Sequence, residues 1–189
     1  MRLPAAGMND ALAPEDGKPI PESYWVVPGS FLAGQYPAST RGDDFATRQR
    51  LTSFLNLGFD AFFDLTAPGE LPGYEAVLRE EAAHYGLPVE HRRFPVGDFG
   101  LPSPAQMDAL LEALDAALAA GRRVYLHCWG GIGRTGTAVG CWLVRHGLDG
   151  ERALQRLAEL YATSGQSRQH PRSPETDAQV DFIRTWKGS

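Results

Sequence analysis

Cysteine is scarce in this chain of 189 residues: Cys128 and Cys141 are the only two, too few for a disulfide framework. Long hydrophobic runs are missing too, and none approaches the roughly 20 residues that a membrane-spanning helix requires. Positive charge is not in excess. With 18 Lys and Arg against 23 Asp and Glu, the net charge is −5, which excludes a broad electrostatic footprint for a nucleic-acid backbone. Any bound anion must be gripped locally. The opening stretch MRLPAAGMNDALAPEDGKPIPE lacks an apolar core and carries Asp10, Glu15 and Asp16, which argues against a secretory or mitochondrial leader. There is no internal repeat, no low-complexity tract and no cluster with metal-ligand spacing. These absences predict a cytoplasmic protein of a reducing compartment, with no cofactor, no metal, no nucleic-acid partner and no membrane partner.

What is present fits one domain, since a chain of this length closes a core without staples. Residues 1–22, rich in Pro, Gly and Ala, are expected to form a flexible arm or a strap on the surface, and 23–189 the domain proper. YWVV and FLAGQY around a Pro-Gly turn predict a hairpin. Phe45, Leu51, Phe54, Leu55 and Leu57 recur at helical period from Asp43 or Asp44 up to Gly58. FDAFFDL reads as a buried strand, Tyr74–Tyr85 as a charged helix closed by Gly86, and VEHRRFPV as a further strand. Ser103-Pro104-Ala105-Gln106 is a capping box that launches a Leu/Ala helix ending before Gly121, with Asp108, Glu112 and Asp115 on its solvated side. VYLHC is the strongest strand and TGTAVGCWLVRH the most apolar helix, followed by helices over Glu151–Tyr161 and Ser173–Trp186. Strands interleaved with helices predict an α/β three-layer sandwich around a central, mostly parallel sheet.

Between the strong strand and the apolar helix lies HCWGGIGRTG, residues 127–136. Three glycines let the backbone curl until successive N–H groups face one centre, and the helix beginning near Arg134 adds its positive end. A tetrahedral dianion suits such a cradle of Trp129, Gly130, Gly131, Ile132, Gly133 and Arg134. At its floor the same N–H groups would favour thiolate over thiol at Cys128 and so supply a nucleophile. The planar fork of Arg134 can hold two phosphoryl oxygens at once, which Lys cannot copy. Rival readings exist. Gly131-Ile-Gly133-Arg-Thr-Gly136 also satisfies a dinucleotide fingerprint, but a second helix follows where that unit needs a strand. A Walker loop fails for want of Gly-Lys-Ser/Thr. A packed, inert cysteine in a Gly-rich turn is the remaining bland reading.

HCWGGIGRTG resembles the His-Cys-x5-Arg-Ser/Thr signature of the protein-tyrosine and dual-specificity phosphatase superfamily, and with PVGDFGLP upstream the resemblance spans residues 24–187. It implies a fold of mostly parallel strands flanked by helices. It also implies Cys128 as the nucleophile that forms a phosphocysteine, Arg134 as the phosphate clamp, Thr135 as the donor to the departing thiolate and His127 as a support for the ionised cysteine. Alone, His127 would read as a satisfied core histidine. Asp98 in VGDFGLP, alone a turn residue bonding its own backbone, becomes the expected general acid on a loop that Gly97 and Gly100 let close. Thr176-Asp-Ala-Gln179-Val-Asp-Phe182 resembles the stretch in which Gln positions the hydrolytic water, so Gln179 is a supporting candidate, although a surface glutamine fits as well.

Lesser signals remain. Arg168, His170 and Arg172 form a positive loop. Acids between Asp64 and Tyr74 could frame an entrance, with Tyr74 itself in the core. Cys141 is expected to be packed rather than reactive. The cradle carries no lysine, whereas the superfamily's phosphoinositide phosphatases tend to place lysines there. A phosphorylated protein is therefore the expected substrate and partner, through phosphotyrosine and possible phosphoserine or phosphothreonine. The alternatives are a phosphoinositide phosphatase, a catalytically weak phosphoprotein-binding module or a rhodanese-like sulfur transferase.

Overall fold

The computed structural model describes residues 17–188. Five strands and six helices alternate: β1 (Ser23–Val27), β2 (Phe31–Gly34), α1 (Asp44–Asn56), β3 (Ala61–Asp64), α2 (Glu75–His84), β4 (Glu90–Arg93), α3 (Pro104–Ala119), β5 (Val124–His127), α4 (Gly133–Arg145), α5 (Gly150–Tyr161) and α6 (Asp177–Thr185), with a 3-10 turn at Gly165–Arg168. The sheet runs β1-β2-β5-β3-β4. Only β1 is antiparallel to its neighbour, and β2, β5, β3 and β4 pair in parallel. Alternation of side chains along each strand feeds two cores. Phe31, Ala33, Phe63, Val124 and Leu126 face α3, α4, α5 and α6, while Leu32, Phe62 and Tyr125 face α1 and α2. The expected three-layer α/β sandwich is therefore the architecture observed.

Local chemistry explains most boundaries. Asp43 caps α1 by accepting from Ala46 N, and Gly58 follows in the left-handed region at φ 79°, where a residue with a Cβ would be strained. Ser103 and Gln106 close the capping box of α3 with Pro104 at its first position. Three expectations change. Phe45, counted in the buried period of α1, is 76% exposed, because it lies in the first turn ahead of the face formed by Leu51, Phe54 and Leu55. The last helix starts at Asp177 rather than near Ser173: Thr176 and Gln179 form its capping box, and the Ser173 hydroxyl donates instead to Ile132 O at 2.8 Å. Two of the three acids of α3 are not merely solvated: Glu112 is exposed as expected, but Asp108 is buried and Asp115 accepts from Trp142 Nε1 at 2.9 Å and Arg145 Nε at 2.9 Å. Asp108 and Asp115 thus bind α3 to α4.

Of the expected arm, residues 1–16 lie outside the described residues. Residues 17–22 lie on the domain, with Ile20 buried and Pro21 O accepting from Gly165 N at 2.9 Å. Cys141 is fully buried in α4, and burial pushes its thiol well above the ordinary range.

Candidate active site

The parallel strands β5 and β3 end side by side, His127 opposite Asp64, so the segments that follow both strands emerge at one edge of the sheet. The chain after β5 forms the loop from Cys128 to Ile132 before entering α4. Its carbonyls are tied outward: Trp129 O accepts from Tyr36 N at 2.9 Å, Gly130 O from Gln166 Nε2 at 3.3 Å and Ile132 O from the Ser173 hydroxyl. With those carbonyls held, the amides of Trp129, Gly130 and Ile132 bond no acceptor among the described residues, and the amide of Gly131 donates to Cys128 Sγ at 3.3 Å. Gly131 adopts φ 74°, and a Cβ there would come within 2.3 Å of Gly34 C. Both backbone conformation and space demand glycine at this point.

Cys128, the nucleophile expected from sequence, lies on an open cavity of about 250 Å³ together with Gln35, Asp98, Trp129, Arg134 and Glu175. It is unpaired, as is Cys141. Trp129, 46% exposed, and Phe99, 59% exposed, flank the mouth. Phe99 is a non-glycine residue at φ 55°, a strained backbone state that points to a constrained loop.

Arg134 is buried at the start of α4. Its Nη1 and Nη2 donate to Glu70 Oε2 at 2.8 Å and Oε1 at 2.6 Å, a two-point grip, while Nη1 also reaches Val96 O at 3.0 Å and Nη2 reaches Asp98 Oδ1 at 3.0 Å. Burial alone would lower the guanidinium pKa, but the hydrogen bonds to Glu70 and the charges of Cys128 and Asp98 raise it overall. Arg134 in turn holds the Glu70 carboxyl below its ordinary value. Glu70, which sequence reading passed over as one acid among several on the loop after β3, is thus part of the candidate site. Its role depends on the distance between two loops, and no local spacing reports that.

Asp98 lies at the cavity with its Oδ1 shared between Arg134 and its own neighbour Phe99 N at 3.1 Å. Asp98 thus bonds the backbone next to it, as a turn residue does, and also lines the cavity that holds Cys128. His127 is buried. Its Nδ1 lies 3.1 Å from Cys128 O and its Nε2 2.7 Å from the Tyr74 hydroxyl. A carbonyl only accepts, which assigns the proton to Nδ1 and makes Nε2 the acceptor for Tyr74. Burial lowers His127 to about 4, outweighing the nearby Asp64 carboxylate, so the ring is neutral at pH 7. Asp64 is buried as well. Burial alone would raise its pKa, yet the contact with His91 at 3.5 Å and the hydrogen bonds from the Thr66 hydroxyl and amide hold it far below the carboxylate range.

Two supporting candidates, Thr135 and Gln179, are buried, which overturns the surface reading of Gln179. The Thr135 hydroxyl bonds nothing among the described residues, so at rest it makes no hydrogen bond to Cys128 Sγ, which accepts from Gly131 N. Gln179 is buried with its amide occupied: Oε1 accepts from Glu175 N and Thr176 N, each at 3.1 Å, and Nε2 donates to Gly100 O at 3.3 Å. It thereby ties α6 to the loop that carries Asp98. Among the described residues no group of three His, Cys, Asp or Glu side chains is placed to hold a metal ion. No described helix is long and apolar enough to cross a membrane.

Comparison with known proteins agrees with this geometry. Residues 21–183 match the family described as PTP-SAK, Swiss Army Knife protein, DSP-PTPase phosphatase domain. A mouse relative, protein tyrosine phosphatase domain-containing protein 1, is 29% identical over 129 residues, which is 65% of this chain and 17% of the relative. The chain spans less than two thirds of the length of the curated relatives it matches first. Among solved structures, Tk-PTP in its active form superposes with a TM-score of 0.67 at 25% identity, covering 87% of this chain and 95% of that one. PTPMT1 in complex with PI(5)P shares the fold alone, at 19% identity and a TM-score of 0.63 over 87% and 94% of the two chains. With the family match running through both Asp98 and the Cys128–Arg134 loop, the chain belongs to the PTP-SAK group of DSP-type phosphatase domains, within the cysteine-dependent protein-tyrosine and dual-specificity phosphatase superfamily.

Proposed function

We propose that this phosphatase is a phosphomonoester hydrolase of phosphorylated protein, phosphotyrosine first, working through a phosphocysteine. The observation that carries the reading is the convergence of Cys128, Arg134 and Asp98 on one open cavity. Cys128 Sγ attacks phosphorus from the floor, the P–O bond to the leaving group breaks and Asp98 delivers a proton to the departing oxygen. A water then attacks the phosphocysteine, giving its proton to Asp98, and phosphate and the cysteine are released. The unpartnered Thr135 hydroxyl is available to the sulfur as it leaves.

The Arg134 contacts add a step to this cycle. Nη1 and Nη2 are occupied by Glu70, Val96 O and Asp98, whereas Nε bonds nothing among the described residues. A phosphoryl group gripped through Nε and Nη2 competes with Asp98 for the second of these. Substrate arrival thus frees the Asp98 carboxylate from Arg134, so that it can take up a proton from solvent and carry it to the leaving oxygen, while Glu70 keeps the guanidinium aimed.

The absence of lysine from residues 129–133 favours a singly phosphorylated group in this pocket over a densely phosphorylated ring. Two free thiols suit a reducing, cytoplasmic setting. Hydrolysis of an aryl phosphate in EDTA tests the reading. Turnover is expected in wild type and absent in Cys128→Ser, while Asp98→Asn is expected to lower kcat by about 100- to 10,000-fold for a slow leaving group. Full activity in Cys128→Ser would sink the mechanism.

A further inference from the structure

A second cavity, of about 330 Å³, opens beside the first and is lined by Gln35, Tyr36, Ser39, Thr40, Arg41 and Arg50. Gln35 belongs to both walls. The partition is fixed to the phosphate loop: Tyr36 N donates to Trp129 O, and the Tyr125 hydroxyl donates to Gln35 O. The separation between Cys128 and the second cavity is therefore set by hydrogen-bonded backbone.

The charges on this cavity lack counter-charges. Arg50, half-buried on α1, makes only long contacts, from Nη2 to Gln35 Oε1 at 3.5 Å and to Tyr36 O at 3.3 Å. Its Nε is buried without any acceptor. Among the described residues neither Arg50 nor Arg41 reaches a carboxylate. The acids nearest in sequence are engaged elsewhere, Asp43 with Ala46 N and Asp44 with Arg48. A guanidinium partly withdrawn from water without a counter-charge is destabilising, and two cations with no carboxylate partner among the described residues, sharing a cavity in a chain of net charge −5, leave a place for an anion. The Ser39 oxygen accepts from Arg41 N and Asp43 N, each at 3.2 Å, so its proton is free to be donated.

We propose that the Arg41–Arg50 cavity is an anion subsite for a second negative group on the substrate, a carboxylate or phosphorylated side chain on the same peptide as the phosphoryl group seated over Cys128. This rests on the phosphatase reading of the Cys128 cleft. The planar forks of two arginines suit paired anionic oxygens of either source.

The test measures kcat/KM on three peptides with one phosphotyrosine and neutral, glutamate or phosphoserine flanks, with p-nitrophenyl phosphate as the single-anion reference. Flanking anions are expected to raise kcat/KM about tenfold over the neutral peptide, through KM. In Arg41→Glu, a change at an exposed loop, and in Arg50→Gln, that ratio is expected to fall to about one. A gain on the phosphoserine flank alone assigns the subsite to a second phosphate, and a gain on both assigns it to either anion. A ratio near one in wild type, or one that survives both substitutions, overturns the proposal. So does an inositol polyphosphate that is preferred over every peptide and loses that preference in Arg41→Glu. Failure of wild type on p-nitrophenyl phosphate, which carries no second anion, would instead count against the phosphatase reading itself.

Discussion

His127 and Asp64 lie side by side with no exposure to solvent, yet their environments act on them differently. Asp64 keeps its charge because Arg93 donates to it at 3.0 and 2.7 Å and Thr66 at 2.8 and 2.6 Å. His127 stays neutral because burial penalises its charged form more than the Asp64 carboxylate and the Cys128 carbonyl favour it. The pH consequence follows from the direction of the His127 shift. Its folded pKa, about 4, is below the ordinary 6.5, so the unfolded chain binds the proton first as pH falls. The stability this residue contributes is complete above pH 6.5, declines below it and is lost at about pH 4, amounting to about 3 kcal/mol. Urea unfolding between pH 7 and 4 measures this. His127→Asn is expected to flatten the profile within that window, and an unchanged slope would count against a neutral, buried imidazole. Of the two sequence readings of His127, core histidine and cysteine support, its burial and satisfied ring fit the first, and its contact to Cys128 is with the backbone carbonyl rather than with Sγ.

At the scale of elements, α4 is the axis on which the site is mounted. It is buried from Gly133 to Leu143, and glycine makes this possible where other helices lie closest. A Cβ at Gly140 would meet Ile183 Cδ1 of α6 at 2.3 Å, and one at Gly136 would meet the Ser173 hydroxyl oxygen at 2.2 Å. Gly140→Ala is therefore expected to destabilise by about 1 to 3 kcal/mol, despite alanine's better helix propensity, because the crowding outweighs it. Thermal or denaturant unfolding checks the sign, and a stabilised variant would show that α6 yields. The helix itself was legible from its apolar composition and the glycines flanking it, as were α1 and α3 from their caps. The start of α6 was not, because Ser173 offers as good a local cap as Thr176. The choice between them is made by Ile132 O, which takes the Ser173 hydroxyl from another part of the chain.

At the scale of the molecule, loops following β3, β4 and β5 supply Glu70, Asp98 and Cys128, and α4 supplies Arg134, all at one edge of the sheet. A ligand that joins these parts should stabilise the whole fold by linkage. Orthovanadate at 100 times its Kd is expected to add about 2.7 kcal/mol, a rise in Tm of about 5 to 10 °C for a domain of this size. Arg134→Ala should abolish the shift. A shift of equal size in that variant would place the oxyanion elsewhere.

The sequence by itself determined the alternation of strands and helices, and hence the parallel sheet, because those follow from period, caps and turn residues within a few positions of one another. It also determined the Cys128–Arg134 cradle, whose parts are contiguous in the chain. Only the tertiary structure decided what Arg134 bonds at rest, that Gln179 anchors the loop carrying Asp98 and that Arg41 and Arg50 share a cavity with Gln35. Each of these depends on side chains from separate elements meeting after the sheet has set the distance between them, and no spacing along the chain encodes a distance across it.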